Sequence, residues 1–242
     1  MRYKCVCAYD GSMFHGFQLQ KDLRTVQLEI EAVLLVIHKK KVRIYPSGRT
    51  DTGVHALNQV FHFDSDLEMA PENMKNAINS RLPKDVYIKE VEIVDESFHA
   101  RYSAKAKEYH YLIDFGEFNP LLRNYRYFCH QKDVDLEKFK EALGVFQGVH
   151  DFRSFTKNKT TKNTVRYIYK IEADVEGTLV TVKIVGDGFL HNMVRIMVAM
   201  ALEVGRGKIT VDGLREIMAK KDRRLSPKIL PPTGLYLFRV YY

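Results

Sequence analysis

The stretch Ser47-Gly48-Arg49-Thr50-Asp51-Thr52-Gly53-Val54-His55-Ala56 lies between an apolar run, Val42 to Tyr45, and a second that begins near Asn58. Apolar runs bounded by Gly-rich polar residues read as strands, here at 42–46 and 58–64, with a sharp loop between them. Gly48 and Gly53 let that loop bend where other side chains would be strained, and the bend sets a guanidinium, Arg49, beside a carboxylate, Asp51. Loops held between rigid elements are where chemistry concentrates. On residues alone this is an Asp-centred polar site. The bland alternative is a turn aspartate that caps the amides of Gly53 or Val54.

Elsewhere the pattern alternates strands with a few helices. Tyr3 to Tyr9 reads as a strand followed by a Gly-containing loop. Val26, Ile30, Val33, Leu34 and Ile37 recur at offsets 0, 4, 7, 8 and 11, the apolar stripe of an amphipathic helix. A short helix at 71–80 and a strand at 86–94 follow. The second half opens with a strand at 105–114, and Leu136, Phe139, Leu143 and Phe146 mark a helix. Two strands meet at a hairpin-like turn around Glu176-Gly177, then come an apolar helix over 189–204 and a final strand over 235–242. Both halves mix strands with packing helices in a similar order, which predicts an α+β protein of two similar halves with a crevice between them. No Pro/Gly/Ser-rich linker marks the boundary, which is placed at 104, giving units 1–104 and 105–242.

At 242 residues the chain can bury a sizeable core, and its apolar share of 45% argues against disorder. A net charge of +8 favours anionic partners, nucleic acid most simply, although a mildly basic metabolic enzyme fits almost as well. Cys5, Cys7 and Cys129 leave an odd thiol in any pairing. Cys5 and Cys7 alternate on one strand as small apolar residues, so reduced thiols in a cytoplasmic protein are expected. No basic-then-apolar leader is read at the start, and His191, Asn192 and Arg195 interrupt the apolar helix, so no membrane span is expected.

Other candidates stand out by residue type. Arg49 could hold Asp51 ionised or contact a phosphate; a surface arginine is the even alternative. His191, Asn192 and Arg195 fall at i, i+1 and i+4 of an otherwise apolar helix, where a charge needs a partner or water. Tyr109 and Tyr111 share one strand face and read as core by periodicity. Phe98-His99-Ala100-Arg101-Tyr102, with Lys105 and Lys107, interleaves basic and aromatic residues as an RNA surface does. Lys157, Lys159 and Lys162 punctuate a polar loop that also reads as merely solvated. His55 and His62, with Asn58 and Asp64, alternate along a strand rather than form a metal cage.

The Ser47–Ala56 stretch resembles the GRTDAGVHA signature of the TruA-type tRNA pseudouridine synthases, with Thr52 where alanine is usual. Tyr9-Asp10-Gly11-Ser12-Met13-Phe14-His15-Gly16-Phe17-Gln18 resembles that family's first-strand motif, with Phe17 in place of tryptophan. Further matches run in order: Arg24–Gln27, Phe98–Ser103, Lys107–Tyr111, Asp151–Phe155, Phe189–Arg195 and Pro231–Leu235. The resemblance implies two α+β halves with antiparallel sheets that line a basic central cleft. It implies an isomerase that turns uridine into pseudouridine at the end of the tRNA anticodon stem, as a homodimer and without metal, nucleotide or redox cofactor.

By the same resemblance Asp51 is the catalytic carboxylate, attacking the base at C6 or the sugar at C1′. Arg195 pairs with it from the other half, Arg49 assists base flipping, and Tyr109 packs on the uracil with Tyr111 as a nearby core ring. Phe98, His99, Ala100, Arg101, Tyr102 and the loop lysines Lys157, Lys159 and Lys162 fall in regions that contact RNA in the family. Two rival readings stay open: a non-catalytic RNA-binding protein on the same fold, and a paralogue that modifies another RNA. A metal hydrolase built on the histidines is a distant third.

Overall fold

In β1 (Arg2–Tyr9) every second side chain, from Tyr3 through Cys5 and Cys7 to Tyr9, is buried, the period of a strand with one face on a core. This computed structural model describes residues 1–131, 133–157 and 160–242. α1 (Val26–His38) starts where the Thr25 hydroxyl accepts the Leu28 amide at 3.3 Å and buries Ile30, Val33 and Leu34. It stops at Lys39, whose φ of 54° is left-handed.

Next come β2 (Tyr45–Pro46), β3 (His55–Asp64), α2 (Pro71–Asn79) and β4 (Val86–Val94). The strand predicted over 42–46 is thus only two residues long. Val42 and Ile44 are buried as expected, but side chains of α1 satisfy the backbone there: Ile44 N–H donates to Glu31 Oε1 at 3.1 Å, and Gln27 Nε2 donates to the Ile44 carbonyl at 3.4 Å. The partner strand starts at His55, inside the polar motif, rather than at 58.

Contacts divide the chain into two units, Met1–Lys105 with Tyr236–Tyr242, and Ala106–Leu235. The sequence reading carries everything after 104 into the second half. The C-terminal strand (Leu235–Tyr241) departs from it because Tyr236 and Leu237 pair with His55 and Ala56 of β3. The sheet of the first unit runs β4, β1, β3 and then this strand. β1 is antiparallel to both its neighbours, and the C-terminal strand is parallel to β3.

The second unit contains β5 (Ala106–Asp114), β6 (Tyr127–Phe128), α3 (Leu136–Gly144), β7 (Gly148–Asp151), β8 (Val165–Glu176), β9 (Leu179–Gly186), α4 (Met193–Gly205) and α5 (Val211–Lys220). Its strands run β6, β5, β9, β8, β7, antiparallel except for the short β5–β6 pairing. Glu176 opposes Leu179, so Gly177, at φ +60°, and Thr178 make the two-residue turn of the β8–β9 hairpin. α4 is buried almost all round and packs on α3. Phe146, read as part of the third helix, lies beyond its end, fully buried and edge-on to Phe155 at 5.0 Å. The sequence reading omits β6, β7 and α5. Together the units make an α+β protein. Among the described residues no helix is long and apolar enough to cross a membrane.

Candidate active site

Asp51 stands at the head of a turn. The Val54 N–H donates back to the Asp51 carbonyl at 3.1 Å, and Gly53 has φ +77°, the conformation a type II turn requires at that position. After the turn Val54, His55 and Ala56 are buried, Thr52 is exposed, and Asp51 is half-buried. An exposed Thr52 explains why a residue larger than alanine fits there. Before the turn, Ser47 Oγ donates to Gln59 Oε1 at 2.7 Å and Gln59 Nε2 donates to the Gly48 carbonyl at 3.0 Å. A buried side-chain amide therefore ties the start of the loop to β3. Arg49 is exposed.

The second support is the Tyr9–Gln18 segment, some forty residues away in sequence. It meets the Asp51 loop backbone to backbone. Gly53 N–H donates to the Phe14 carbonyl at 3.2 Å, and Phe17 N–H to the Thr50 carbonyl at 3.2 Å. Gly11 N–H donates to His55 Nδ1 at 3.1 Å, and the Tyr9 and Thr50 hydroxyls bond at 2.8 Å. Gly11 and Gly16 permit this approach: a Cβ on Gly11 would stand 2.0 Å from the Val54 oxygen, and one on Gly16 2.6 Å from that of Thr50. Arg24 braces the same segment. Its guanidinium forks onto Asp85 at 2.7 and 3.0 Å, reaches Glu29 at 2.6 Å and lies over the Phe14 ring. Phe17, where the resembling motif has tryptophan, is fully buried. The two motifs thus form one site, a half-exposed carboxylate on a loop with little freedom to move.

Phe98–Tyr102 lies at the far end of β3 from that loop. Ala100 N–H donates to His62 Nδ1 at 3.2 Å, and His62 is seven residues along β3 from His55. At about 3.3 Å per residue this is roughly 23 Å. Here His62 stacks on Tyr45 at 5.1 Å and meets His99 at 4.6 Å, while His99 covers Tyr102 at 4.4 Å. Burial, then the charges of His99 and Arg2, push the His62 imidazole down to about 4. His99 is pushed down for the same first reason. Ala100 is buried, whereas Arg101 and Tyr102 are exposed, Tyr102 at 77%. Both histidines of β3 therefore serve as acceptors for neighbouring amides.

Within the second unit, Tyr109 and Tyr111 share the buried face of β5. Tyr109 packs edge-on to Phe189 at 5.0 Å, and the Tyr111 hydroxyl donates to the Pro231 carbonyl at 2.7 Å. Arg195 lies near Tyr111: burial raises that phenol's pKa and the Arg195 charge opposes the rise. Arg195 Nε donates to the Leu230 carbonyl and its Nη1 to Asn192 Oδ1, both at 2.7 Å. The helical face drawn through His191, Asn192 and Arg195 needs correction, because α4 begins only at Met193. Asn192 precedes it at φ +61° and turns its side chain to Arg195. His191 is exposed, and its carbonyl accepts the Thr156 hydroxyl at 3.2 Å and the Lys157 amide at 3.4 Å.

Lys157 and Lys162 have exposed side chains; Lys159 lies outside the described residues. Sequence reading missed two features. One is the Arg24 clamp, since the sequence places Arg24 only in the Arg24–Gln27 match. The other is Arg223, whose Nε is buried without a hydrogen-bond partner among the described residues.

A family model described as tRNA pseudouridine synthase matches residues 6–103 and 142–242. A protein named tRNA pseudouridine synthase A from Geobacillus sp. (strain WCH70) is 47% identical over 244 residues, covering 100% of this chain and 98% of its own. Its namesake from Geobacillus kaustophilus (strain HTA426) is 45% identical, over 100% of this chain and 94% of its own. That from Anoxybacillus flavithermus (strain DSM 21510 / WK1) is 47% identical, over 100% and 98%.

Proposed function

This chain belongs to the tRNA pseudouridine synthase family, and we propose that its target uridines lie in the anticodon stem-loop of tRNA, with Asp51 as the nucleophile. It is an isomerase: the glycosidic C–N bond breaks, the uracil turns, and a C–C bond forms to the same sugar. No atom is gained or lost overall.

In this reading the Asp51 carboxylate attacks C6 of the base or C1′ of the sugar, either of which gives a covalent intermediate. If attack is at C1′, N1 leaves with the glycosidic bond pair, and C5 of the turned base then displaces the carboxylate from C1′. If attack is at C6, the adduct persists until C5 has bonded C1′, and the carboxylate is then eliminated. In either case C5 loses its proton and N1 gains one. Arg49 and Arg195 orient Asp51, and Tyr109 packs on the uracil. The observation that carries the reading is the clamp on the Asp51 loop. A nucleophile displaced by about 1 Å loses on the order of a hundredfold in rate, so a fixed backbone is what the chemistry needs. Four hydrogen bonds to the Tyr9–Gln18 segment supply it. The exposed Arg101, Tyr102, Lys157 and Lys162 would hold RNA away from the reacting base, with Phe98, His99 and Ala100 shaping the support of Arg101 and Tyr102. The working form would be a cytoplasmic homodimer.

Incubating the purified protein with tRNA and mapping pseudouridine base by base tests the reading. Modification confined to the anticodon stem-loop, unchanged by excess chelator, is expected. Product elsewhere in tRNA would reassign the target, and product only in another class of RNA would favour the paralogue reading.

A further inference from the structure

We propose that Arg223 is a phosphodiester-binding residue, through which the 222–230 segment of the second unit grips the RNA backbone. The inference rests on the tRNA-modifying reading above. Its starting point is a contrast between neighbours. Arg224 reaches solvent with its side chain 89% exposed, and it forks onto Asp222 at 2.6 and 2.9 Å. Arg223 turns the other way. Its Nε is buried without a hydrogen-bond partner among the described residues, and its Nη1 reaches the Ser226 hydroxyl only at 3.5 Å. Burial alone acts on its pKa, downwards, with no carboxylate to offset it.

A guanidinium does not give up its proton in a protein, so this charge persists. Charges withdrawn from water are normally paired, since the desolvation cost is otherwise uncompensated. A folded chain that leaves one unpaired is complementary to an anion it does not itself supply. The neighbouring acid is already engaged: Asp222 holds Arg224.

The surroundings select the kind of anion. The turn carrying Arg223 packs on the Arg153–Phe155 turn, to which Ser226 Oγ donates a hydrogen bond at the Ser154 carbonyl. Arg153, Lys157 and Lys228 on these segments are exposed. Exposed cations on the adjoining segments, beside one half-buried guanidinium, suit a chain of phosphates better than a single enclosed carboxylate. The segment then runs to Leu230, whose backbone bonds Arg195 through both its N–H and its carbonyl. A phosphate on Arg223 would therefore register the RNA against the segment that also holds Arg195, making Arg223 a positioning residue.

The test compares Arg223→Met, Arg223→Lys and Arg224→Met in tRNA binding across a salt series and in thermal unfolding with and without inorganic phosphate. Arg223→Met should weaken binding about tenfold or more at low salt and flatten the slope of log K against log salt by roughly 0.7–0.9. Its melting temperature without phosphate should equal or exceed that of the wild type, and added phosphate should stabilise it less. Arg223→Lys should keep the salt slope while binding more weakly, and Arg224→Met should change the slope less than Arg223→Met. An unchanged slope with a lowered melting temperature would make Arg223 a structural strut and overturn the proposal. Equal flattening in Arg224→Met would overturn it too, by showing diffuse charge only. If Arg223→Met does not fold, a flattened slope in Arg223→Lys decides against the proposal. Wild-type pseudouridine formation on the same tRNA separates a failure of this site from a failure of the underlying reading.

Discussion

Gly11→Ala offers a quantitative test of the clamp on Asp51. The added methyl would sit 2.0 Å from the Val54 oxygen and 2.5 Å from its carbon. Reaching an ordinary contact near 3.4 Å requires the Val54 carbonyl to retreat by about 1.4 Å. Val54 cannot retreat alone, because its N–H is bonded to Asp51 and the preceding Gly53 to Phe14. The neighbouring Gly11–His55 bond would be lost or stretched as well. Overpacking of this kind costs about 1–3 kcal/mol and a lost hydrogen bond about 1, so a loss of roughly 2–4 kcal/mol is expected. Asp51 should move by on the order of 1 Å, which lowers the single-turnover rate at saturating tRNA about a hundredfold. Urea unfolding measures the first effect and rapid-quench pseudouridine formation the second. Gly144→Ala is the control, since nothing lies within 4 Å of its new methyl at the end of α3; it should keep the wild-type rate. Wild-type rate and unfolding midpoint in Gly11→Ala would refute the claim that this contact fixes the loop.

His62, fully buried and pushed down to about 4, should make stability depend on pH. Its folded pKa lies below the ordinary 6.5, so the contribution is complete above about 6.5 and is lost as pH falls towards 4, at most about 3 kcal/mol and nearer 2 after solvent relief. Urea titrations at pH 5 and 7.5 should show that loss shrink in His62→Gln, and an identical pH dependence in the variant would contradict it. Tyr109→Phe keeps the ring against Phe189 and should fold normally, whereas Tyr109→Ala should cost roughly 1–3 kcal/mol more in transition-state stabilisation if the ring stacks on uracil; equal rates would make Tyr109 a packing residue only. Asn192→Gly retains the left-handed backbone but removes the acceptor for Arg195, so turnover should fall about tenfold with little change in melting temperature. A melting temperature that falls while the rate holds would give Asn192 a purely structural role.

Much of the fold was legible because periodicity reports burial directly. The alternation of Tyr3, Cys5, Cys7 and Tyr9 places β1, and the Val26–Ile37 stripe places α1 within a residue of its ends. Burial does not reveal who satisfies the backbone. Val42 and Ile44 look like a strand, yet Glu31 and Gln27 take the hydrogen bonds that a ladder would need. The start of α4 was misread for a related reason: Phe189 and Leu190 continue the apolar pattern, but the left-handed Asn192 cannot belong to the helix. α5 carried a signal that was passed over, Thr210 as cap followed by Val211, Leu214 and Met218 at helical spacing.

At the site, the sequence showed that Asp51 stands on a constrained loop and that Gly11 and Gly16 belong to a second motif. It held no sign that the two interlock, since contacts between residues forty apart are set by the tertiary fold. Nor could it place Phe98–Tyr102 at the opposite end of β3. Arg223 was invisible for a simpler reason: in Asp222-Arg223-Arg224 only the fold decides which guanidinium faces inward.

The central claim is that Asp51 performs the chemistry while the rest of the molecule holds the RNA. Single-turnover pseudouridine formation by Asp51→Asn on purified tRNA, measured beside tRNA affinity, addresses it most directly. The substitution nearly preserves size and shape but leaves an amide that cannot act as the nucleophile. No detectable product, with a tRNA dissociation constant within about threefold of the wild type, is the predicted result, since about 0.65 kcal/mol is all such a change represents. Substantial turnover by Asp51→Asn would contradict the assignment of the nucleophile.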